Sequence, residues 1–391
     1  MVGEDRRVSG APAKARVAFF LAYPGGGGVE RVLITIANEF ARRGKDVDLV
    51  LRSAEGPSAD LISSDVNVVD LKAFTRVSRN ILVRLRLHMT NLRALFSLCG
   101  YIRSRRPRAI ISPFFRENLL AILAKKLTGS DCRLVIRQAG TLGWLLSNAC
   151  GSAHRIRLRW LTRCLYPRAD AVIAVSQGVA EDLVRVVPVI GAKLRVIYNP
   201  VDLDRIQRLS LEEPGHPWFN GGSHQVVLGA GRLEIEKDFP TLVRAFARVR
   251  QTRPSKLVIL GEGRERQKLE ELVSALGLEK EVSLPGFAKN PFAYMSRAAV
   301  FVLSSTTEGF PNVLSEALAS GCPVVSTDCP SGPREILEDG KWGELVPVGD
   351  VDALAAATGR TLQNPPAPNL LKQRAAFFSV DRAVGQYLDT L

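Results

Sequence analysis

A buried strand, a loop, a helix and a second buried strand follow one another between Ala298 and Ser326. The apolar run Ala298 to Leu303 is long enough for one strand buried on both faces. The helical pattern after it continues through Ala319, and Gly321 provides a C-cap. Cys322 to Ser326 predicts the next strand. Two strands joined by a helix form a βαβ unit, so the sequence predicts an α/β fold with a parallel sheet.

The loop of this unit lies at the carboxyl end of a strand, where open parallel sheets bind ligands. Gly309 allows the backbone to approach a ligand closely, and Pro311 suits the first turn of a helix. The free N–H groups of that turn would face an anion. Glu308 in the loop and Glu316 in the helix bracket this anion site, and carboxylates accept hydrogen bonds from hydroxyl groups. An anion between two hydroxyl-rich groups is the outline of a nucleotide sugar.

Two cations follow the predicted strand Val226 to Ala230, in the stretch Gly231 to Asp238. Arg232 and Lys237 at a strand end can neutralise the charge that builds up on a leaving nucleoside diphosphate. An Arg and a Lys in such a position are also commonly just solvated. Their coincidence with the two carboxylates favours the functional interpretation.

These residues also carry a family resemblance. Glu308 and Glu316, separated by seven residues, resemble the E-x7-E signature of retaining glycosyltransferases of family 4. Gly231 to Lys237 resembles the G-R-x4-K element of the same family. The alternative to this functional interpretation is that the pair consists of one solvated loop glutamate and one ordinary helix glutamate. The resemblance extends from Val17 to Leu391 and implies the GT-B fold, with two Rossmann-like domains facing each other across a cleft.

The resemblance implies a role for each of these side chains. Arg232 and Lys237 would hold the donor diphosphate, Glu308 the hydroxyls of the transferred sugar and Glu316 the ribose; Glu308, Arg232 and Lys237 are the predicted catalytic residues. The predicted substrate-binding residues are Gly26, Gly27, Gly28, Gly263, Phe287, Gly309, Phe310, Pro311, Asn312, Val313, Leu314 and Glu316. Phe287 is expected beside the nucleobase. No cofactor and no metal are expected, because the nucleotide diphosphate sugar is a substrate.

A glycine-rich loop follows the first predicted strand, Arg16 to Ala22. Such loops cradle phosphate with backbone N–H groups. A tight strand-to-helix turn explains one or two glycines but not the four from Gly25 to Gly28. By resemblance this loop borders the cleft. Many relatives place a histidine in a later loop where this chain has Gln138 and Ala139, so no catalytic histidine is assigned.

The chain is predicted to hold two domains and two flanking segments. We expect a flexible tail at residues 1–15, an N-terminal acceptor-binding domain at 16–205 and a linker at 206–224. A nucleotide-sugar-binding domain follows at 225–375, and the resemblance implies that a terminal helix at 376–391 packs on the first domain. The length of 391 residues and an apolar content of 46% agree with two folded domains rather than disorder.

Several features indicate a cytoplasmic protein without a membrane span. No apolar run reaches the roughly 18 residues that a membrane helix needs, and the N-terminus lacks the apolar core of a signal peptide. The six cysteines show no spacing typical of zinc ligands. Reduced thiols in a cytosol are the default for such a chain.

The net charge of +14 is concentrated in one region. Residues 71–170 contain 20 Lys or Arg against three acidic residues, a balance of +17, so the rest of the chain carries −3. Apolar positions lie among these arginines between Lys72 and Arg108, which suits the surface of an anionic membrane. The alternatives are a solvated helix face and a nucleic-acid site. Aromatic residues are sparse there and no binding motif appears, so nucleic acid is not expected as a partner.

The sequence therefore predicts a metal-independent retaining glycosyltransferase that associates peripherally with the inner face of the cell membrane. It would transfer a sugar from a nucleotide diphosphate sugar, most simply a UDP-sugar, to a lipid-linked glycan or glycolipid. A nucleotide-sugar epimerase of the same fold is the rival enzyme, and the missing cleft histidine counts against it. A non-catalytic, nucleotide-binding membrane protein is the other alternative. The presence of Arg232, Lys237, Glu308 and Glu316 counts against that one.

Overall fold

The computed structural model describes residues 16–73, 83–147, 151–219 and 224–391. The predicted tail at 1–15 lies outside these ranges, as do residues 220–223 of the predicted linker. The described part of the chain divides into two compact units. The first contains residues up to Arg137, together with Arg168–Ala171 and Leu391, and the second contains Gln138–Pro167 and Val172–Thr390.

Seven strands of the described residues form one parallel sheet. They are β1 (Val17–Leu21), β2 (Val47–Leu51), β3 (Asn67–Asp70), β4 (Ala109–Ser112), β5 (Arg133–Gln138), β6 (Ala171–Ala174) and β7 (Leu194–Val196). Their order is β3-β2-β1-β4-β5-β6-β7. The connecting helices are α1 (Gly28–Arg42), α2 (Val83–Arg105), α3 (Phe115–Thr128), α4 (Leu142–Ser147), α5 (Ser152–Leu165), α6 (Gln177–Val186) and α7 (Leu203–Leu209). The strand order reverses between β1 and β4, and the glycine-rich loop follows β1 at that point.

Six further strands form a second parallel sheet. They are β8 (Gln225–Ala230), β9 (Ser255–Leu260), β10 (Val282–Gly286), β11 (Val300–Leu303), β12 (Val324–Thr327) and β13 (Glu344–Val346). The helices of this part are α8 (Phe239–Thr252), α9 (Arg266–Ala275), α10 (Pro291–Met295), α11 (Asn312–Ala319), α12 (Pro333–Ile336), α13 (Val351–Gln363), α14 (Pro368–Ala376) and α15 (Val380–Leu388). The order β10-β9-β8-β11-β12-β13 reverses between β8 and β11. Open α/β sheets bind ligands at such a reversal.

The βαβ unit predicted from the sequence is present. β11 and β12 pair in parallel, and α11 connects them. Gly321 after the helix has a φ of 79°, the left-handed conformation of a C-cap glycine. The helix begins at Asn312, so Pro311 precedes its first residue rather than occupying its first turn. The fold prediction is confirmed as two α/β sheets of parallel strands.

The core of the second sheet explains why its strands read as continuous apolar runs. Val227, Ile259 and Val302 are at most 1% exposed, and Leu242 of α8 and Leu354 of α13 pack in the same cluster. Strands covered by helices on both faces have no solvent side and therefore no polar alternation. This packing holds the strands of the second sheet in place, and the polar residues of the loops follow directly at the strand ends.

Candidate active site at the strand reversal

The two predicted catalytic elements meet at the reversal of the second sheet. β8 ends at Ala230 and leads to the segment of Arg232 and Lys237, while β11 ends at Leu303 and leads to Glu308. Neighbouring parallel strands β8 and β11 bring both segments to the same edge. Ser304 Oγ donates a hydrogen bond to the Lys237 carbonyl at 2.8 Å, so the two loops are also tied to each other.

Lys237 and Glu308 form an ion pair at this edge. Lys237 Nζ lies 2.5 Å from Glu308 Oε1, and the side chains are only 16% and 10% exposed. Ser305 Oγ donates to the same oxygen at 2.7 Å. Glu308 Oε1 thus has two donors, while its Oε2 has no hydrogen-bond partner among the residues that the structure describes. The carboxylate is held by one oxygen and is open at the other.

Arg232 has a different environment from Lys237. Its guanidinium donates to Glu236 Oε1 at 3.1 Å, and the side chain is 70% exposed. An ion pair this exposed contributes little, typically about 0.3–0.5 kcal/mol. Arg232 is therefore a cation that a ligand can recruit at low cost, whereas Lys237 is already committed to Glu308.

A buried thiol lies beside this ion pair. Cys329 follows β12 and is 3% exposed. Burial, and then the negative charge of Glu308, raise the pKa of the Cys329 thiol to about 12, although Lys237 acts in the opposite direction. The thiol is protonated at neutral pH and contributes no charge to the site. Its place near the pair gives no signal in the sequence, because no local pattern relates Cys329 to Lys237 and Glu308.

The loop between Glu308 and α11 is packed against protein rather than open. A Cβ added to Gly309 would lie 2.1 Å from the Ala139 carbonyl oxygen, and Ser176 Oγ donates to the Gly309 carbonyl at 2.7 Å. Phe310 is buried, with its ring centroid 5.4 Å from that of Phe378. A close backbone approach therefore does require glycine at position 309, but the approach in this structure is to the segment at Ala139.

The substitution Gly309→Ala is expected to lower the stability of the protein by about 1–3 kcal/mol, because the new methyl group overlaps the Ala139 carbonyl and forces backbone movement. Thermal unfolding of purified protein measures the change. Gly359→Ala is the matched control, since its Cβ would meet nothing within 4 Å inside helix α13. An equal melting temperature for Gly309→Ala and wild type would show that this loop is not tightly packed.

A carboxylate that the sequence analysis did not single out holds the start of α6. Glu335 of α12 accepts hydrogen bonds from the backbone N–H groups of Gln177 at 2.6 Å and Gly178 at 3.0 Å. Burial, together with the charge and hydrogen bond of Glu335, raises the pKa of the Tyr198 hydroxyl to about 12. Arg374 donates to the Glu335 carbonyl at 2.6 Å and so fixes α12 in turn.

The remaining predicted residues have varied environments. Leu314 is fully buried, Phe287 is 66% exposed after β10, and Asn312 Oδ1 accepts from Asn199 Nδ2 at 2.7 Å. Pro311 is buried, and Val313 and Glu316 are half-buried on α11. A Cβ on Gly263 would lie 2.2 Å from the Leu233 carbonyl oxygen. Gly26, Gly27 and Gly28 belong to the first unit, where Gly28 begins α1. Their contacts with substrate stay a prediction.

Comparison with solved structures identifies the fold class. The chain matches the lipopolysaccharide outer core galactosyltransferase WaaB with a TM-score of 0.72 at 22% identity, covering 96% of this chain and 98% of that one. It matches Anabaena Alr3699/HepE in complex with UDP-glucose with a TM-score of 0.75 at 21% identity, covering 96% and 100%. The two parallel sheets are therefore those of the GT-B fold.

Sequence comparison defines the family. The model for "Glycosyltransferase Family 4" matches residues 26–205, and that for "Glycosyl transferases group 1" matches residues 219–377. An N-acetylgalactosaminyltransferase of Campylobacter jejuni is 30% identical over 365 residues, which are 92% of this chain and 93% of the relative. Its full name describes transfer to N-acetylgalactosamine-N,N'-diacetylbacillosaminyl-diphospho-undecaprenol. The chain belongs to glycosyltransferase family 4.

Proposed function

We propose that the protein transfers a sugar from a UDP-sugar to a lipid-linked glycan or glycolipid, with retention of the anomeric configuration. The observation that carries this proposal is the Lys237–Glu308 pair at the β8–β11 reversal, with one carboxylate oxygen open. Two relatives support the substrates: the Campylobacter enzyme is named for a diphospho-undecaprenol acceptor, and Alr3699/HepE was solved with UDP-glucose.

Each side chain has a separate task in the proposed reaction. Arg232 and Lys237 hold the diphosphate, and the N–H groups at the start of α11 add further donors. Glu308 accepts hydrogen bonds from hydroxyls of the transferred sugar through Oε2, and Glu316 does the same for the ribose. Because Lys237 has three donors, it can keep Glu308 Oε1 while it also contacts a phosphate oxygen. Arg232 and Lys237 then supply the positive charge that would otherwise call for a metal ion.

Retention is proposed to occur on a single face of the sugar. The bond from C1 to the diphosphate oxygen breaks, and the acceptor oxygen bonds to C1 from the same side. The acceptor proton passes to the departing phosphate. Lys237 and Arg232 stabilise the negative charge of that leaving group as it develops. This scheme needs no carboxylate nucleophile of the kind that retaining glycosidases use.

A donor panel tests the proposed function. The purified protein is incubated with several UDP-, GDP- and ADP-sugars and a membrane lipid extract, and products are identified by mass spectrometry and proton NMR. We expect release of UDP and an α-linked product from an α-linked donor. An epimerised donor without transfer would instead support the rival epimerase. Absence of any donor turnover would support the non-catalytic alternative.

The basic region of the first unit presents a face suited to an anionic membrane. On α2, Leu95, Leu98 and Ile102 are buried, whereas Leu92 and Phe96 are exposed beside arginines. Part of this basic region, including Arg76, Arg79, Ile81 and Leu82, lies outside the described residues. No helix within the described ranges combines the length and the apolar content needed to cross a bilayer. We therefore propose peripheral association with the inner face of the cell membrane.

Helix α5 of the second unit has the same character. Ile156 and Trp160 are 70% and 63% exposed and stand four residues apart on one face. Arg155, Arg159 and Arg163 belong to the same helix, and no acidic residue occurs in it. Tryptophan is favoured at the boundary between water and lipid, and arginine is attracted to anionic headgroups.

Replacing Arg103, Arg105, Arg106 and Arg108 together by Gln is expected to reduce binding to anionic liposomes and transfer to lipid acceptors, while slow donor hydrolysis is retained. These four side chains are exposed, and each arginine near an anionic surface contributes about 1 kcal/mol. Liposome co-sedimentation at several salt concentrations measures the effect.

A control variant removes the same amount of positive charge from the nucleotide-binding half. It replaces four exposed arginines by Gln: Arg244, Arg248, Arg250 and Arg264. This variant should bind liposomes as well as wild type does. Equal loss in both variants would mean that net charge, not a defined face, drives binding. No binding of wild type to anionic liposomes at low salt would favour a soluble acceptor.

A further inference from the structure

Two adjacent serines directly after β11 contact the two residues of the ion pair, one through the Lys237 backbone and the other through the Glu308 carboxylate. Ser304 Oγ donates to the Lys237 carbonyl at 2.8 Å, and Ser305 Oγ donates to Glu308 Oε1 at 2.7 Å. The exposed fractions of these serines are 1% and 0%. A hydroxyl buried this deeply needs a hydrogen-bond partner. Both serines find that partner in the residues of the ion pair.

Ser305 is itself fixed by the neighbouring strand. Thr327 Oγ1, at the end of β12, donates to the Ser305 carbonyl at 2.6 Å, and Thr327 is fully buried. The loop that follows β11 therefore presents the Ser305 hydroxyl from a backbone whose carbonyl is hydrogen-bonded to β12. A rigid donor of this kind can impose an orientation on a carboxylate instead of following it.

The orientation of Glu308 follows from where its donors lie. Ser305 and Lys237 both bind Oε1, so the carboxylate plane and the direction of Oε2 are set by two contacts. Lys237 is also the residue that the donor diphosphate would recruit. If the ammonium shifts toward a phosphate, Ser305 is the contact that still holds Oε1.

We propose that Ser305 is a positioning residue of the transfer reaction. Its hydroxyl holds Glu308 Oε1 so that Oε2 faces the donor sugar, also when Lys237 moves toward the diphosphate. The inference rests on the proposed contact of Glu308 with the transferred sugar. Ser305 does not touch the substrate and acts only through Glu308.

A double-mutant cycle tests this inference with the full-length protein, UDP and the active donor from the panel. Ser305→Ala is expected to lower kcat about tenfold and to leave the Kd for UDP within twofold of wild type. In a Glu308→Ala background, the same serine substitution should change the residual kcat by less than twofold. Ser326→Ala is the control, because Ser326 is equally buried on β12 but its hydroxyl donates to the Thr327 carbonyl; it should keep wild-type kcat.

The outcomes separate the inference from the proposed function. If Glu308→Ala keeps wild-type turnover, the sugar site itself is misplaced. If Glu308→Ala is impaired and Ser305→Ala lowers kcat by the same factor in both backgrounds, Ser305 acts independently of Glu308 and the inference is wrong. Should Ser305→Ala not fold, Ser305→Cys replaces it, since a thiol fills a similar volume but is a weak donor. Wild-type kcat in a folded Ser305→Cys or Ser305→Ala protein also overturns the inference.

Discussion

Glu308→Gln is expected to lower kcat about a hundredfold with every donor that the wild-type protein uses, while UDP binds with nearly unchanged affinity. The amide keeps the size of the carboxylate but loses its charge. In the proposed reaction this charge faces a sugar that becomes positive in the transition state. Removal of one such preorganised contact costs about 2–4 kcal/mol, which corresponds to roughly one and a half to three powers of ten in rate. Steady-state kinetics and calorimetry with UDP measure the two quantities.

The location of Glu308 makes this test selective. The side chain is 10% exposed and held by Ser305 and Lys237, so the substitution changes charge at a fixed place. Glu262→Gln is a suitable control, because Glu262 is largely exposed and pairs with Arg266. A kcat near that of wild type for Glu308→Gln would mean that the transferred sugar binds elsewhere.

Lys237→Ala is expected to weaken UDP binding by about 1.5–3 kcal/mol, roughly tenfold to a hundredfold in Kd, because it removes the charge-assisted contact to the diphosphate that we propose. Binding of UMP should suffer less, since it lacks the second phosphate. The same substitution removes one of the two donors of Glu308 Oε1, so kcat should fall as well. Isothermal calorimetry with UDP and UMP and steady-state kinetics check these expectations.

Arg232→Ala separates the two effects of Lys237→Ala. Arg232 lies on the same segment but bonds Glu236 instead of Glu308. Its removal should weaken UDP binding in the same manner without disturbing the orientation of Glu308. Lys268→Ala, an exposed lysine paired with Glu265, controls for loss of charge. Unchanged UDP affinity in both folded variants, Arg232→Ala and Lys237→Ala, would exclude this segment from the diphosphate site.

The sequence predicted the βαβ unit around Glu308 well, because the signals for it are local. A continuous apolar run marks a strand covered on both faces, and a glycine with φ of 79° ends the helix at position 321 as expected. The predicted and observed strand ends differ by one or two residues. Such differences are normal where the final residues of a strand make few hydrogen bonds.

The contacts inside the site were beyond the reach of such local signals. Lys237 and Glu308 are 71 residues apart, and their pairing depends on β8 and β11 being neighbours in the sheet. Neither the periodicity of apolar residues nor the spacing of motifs along the sequence predicts that strand order. The hydrogen bond from Ser305 to Glu308 could not be predicted for the same reason, although Ser305 lies within the predicted loop. Side-chain partners across a sheet are decided by packing, which a single sequence records only indirectly.

The sequence places apolar residues among the arginines of α2 but does not decide which of them are exposed. A helical period places Leu92, Leu95, Phe96, Leu98 and Ile102 on a broad stripe, and that stripe is wider than the surface that the neighbouring elements cover. Leu95, Leu98 and Ile102 are buried in the core, whereas Phe96 is 67% exposed. The periodicity shows that a helix is amphipathic but not which edge of its apolar stripe faces water.

The hydrogen bonds from Gln177 and Gly178 to Glu335 have a consequence for the growing chain. Gln177 and Gly178 are added to the chain 158 and 157 residues before Glu335, whose side chain accepts from these two N–H groups. Ser176 accepts a hydrogen bond from the Val179 N–H locally, whereas Gln177 and Gly178 gain their carboxylate partner only after α12 has been made. The first turn of α6 therefore acquires its final hydrogen bonds late in synthesis, although the helix itself is made early. Formation of these bonds indicates that the C-terminal half has folded.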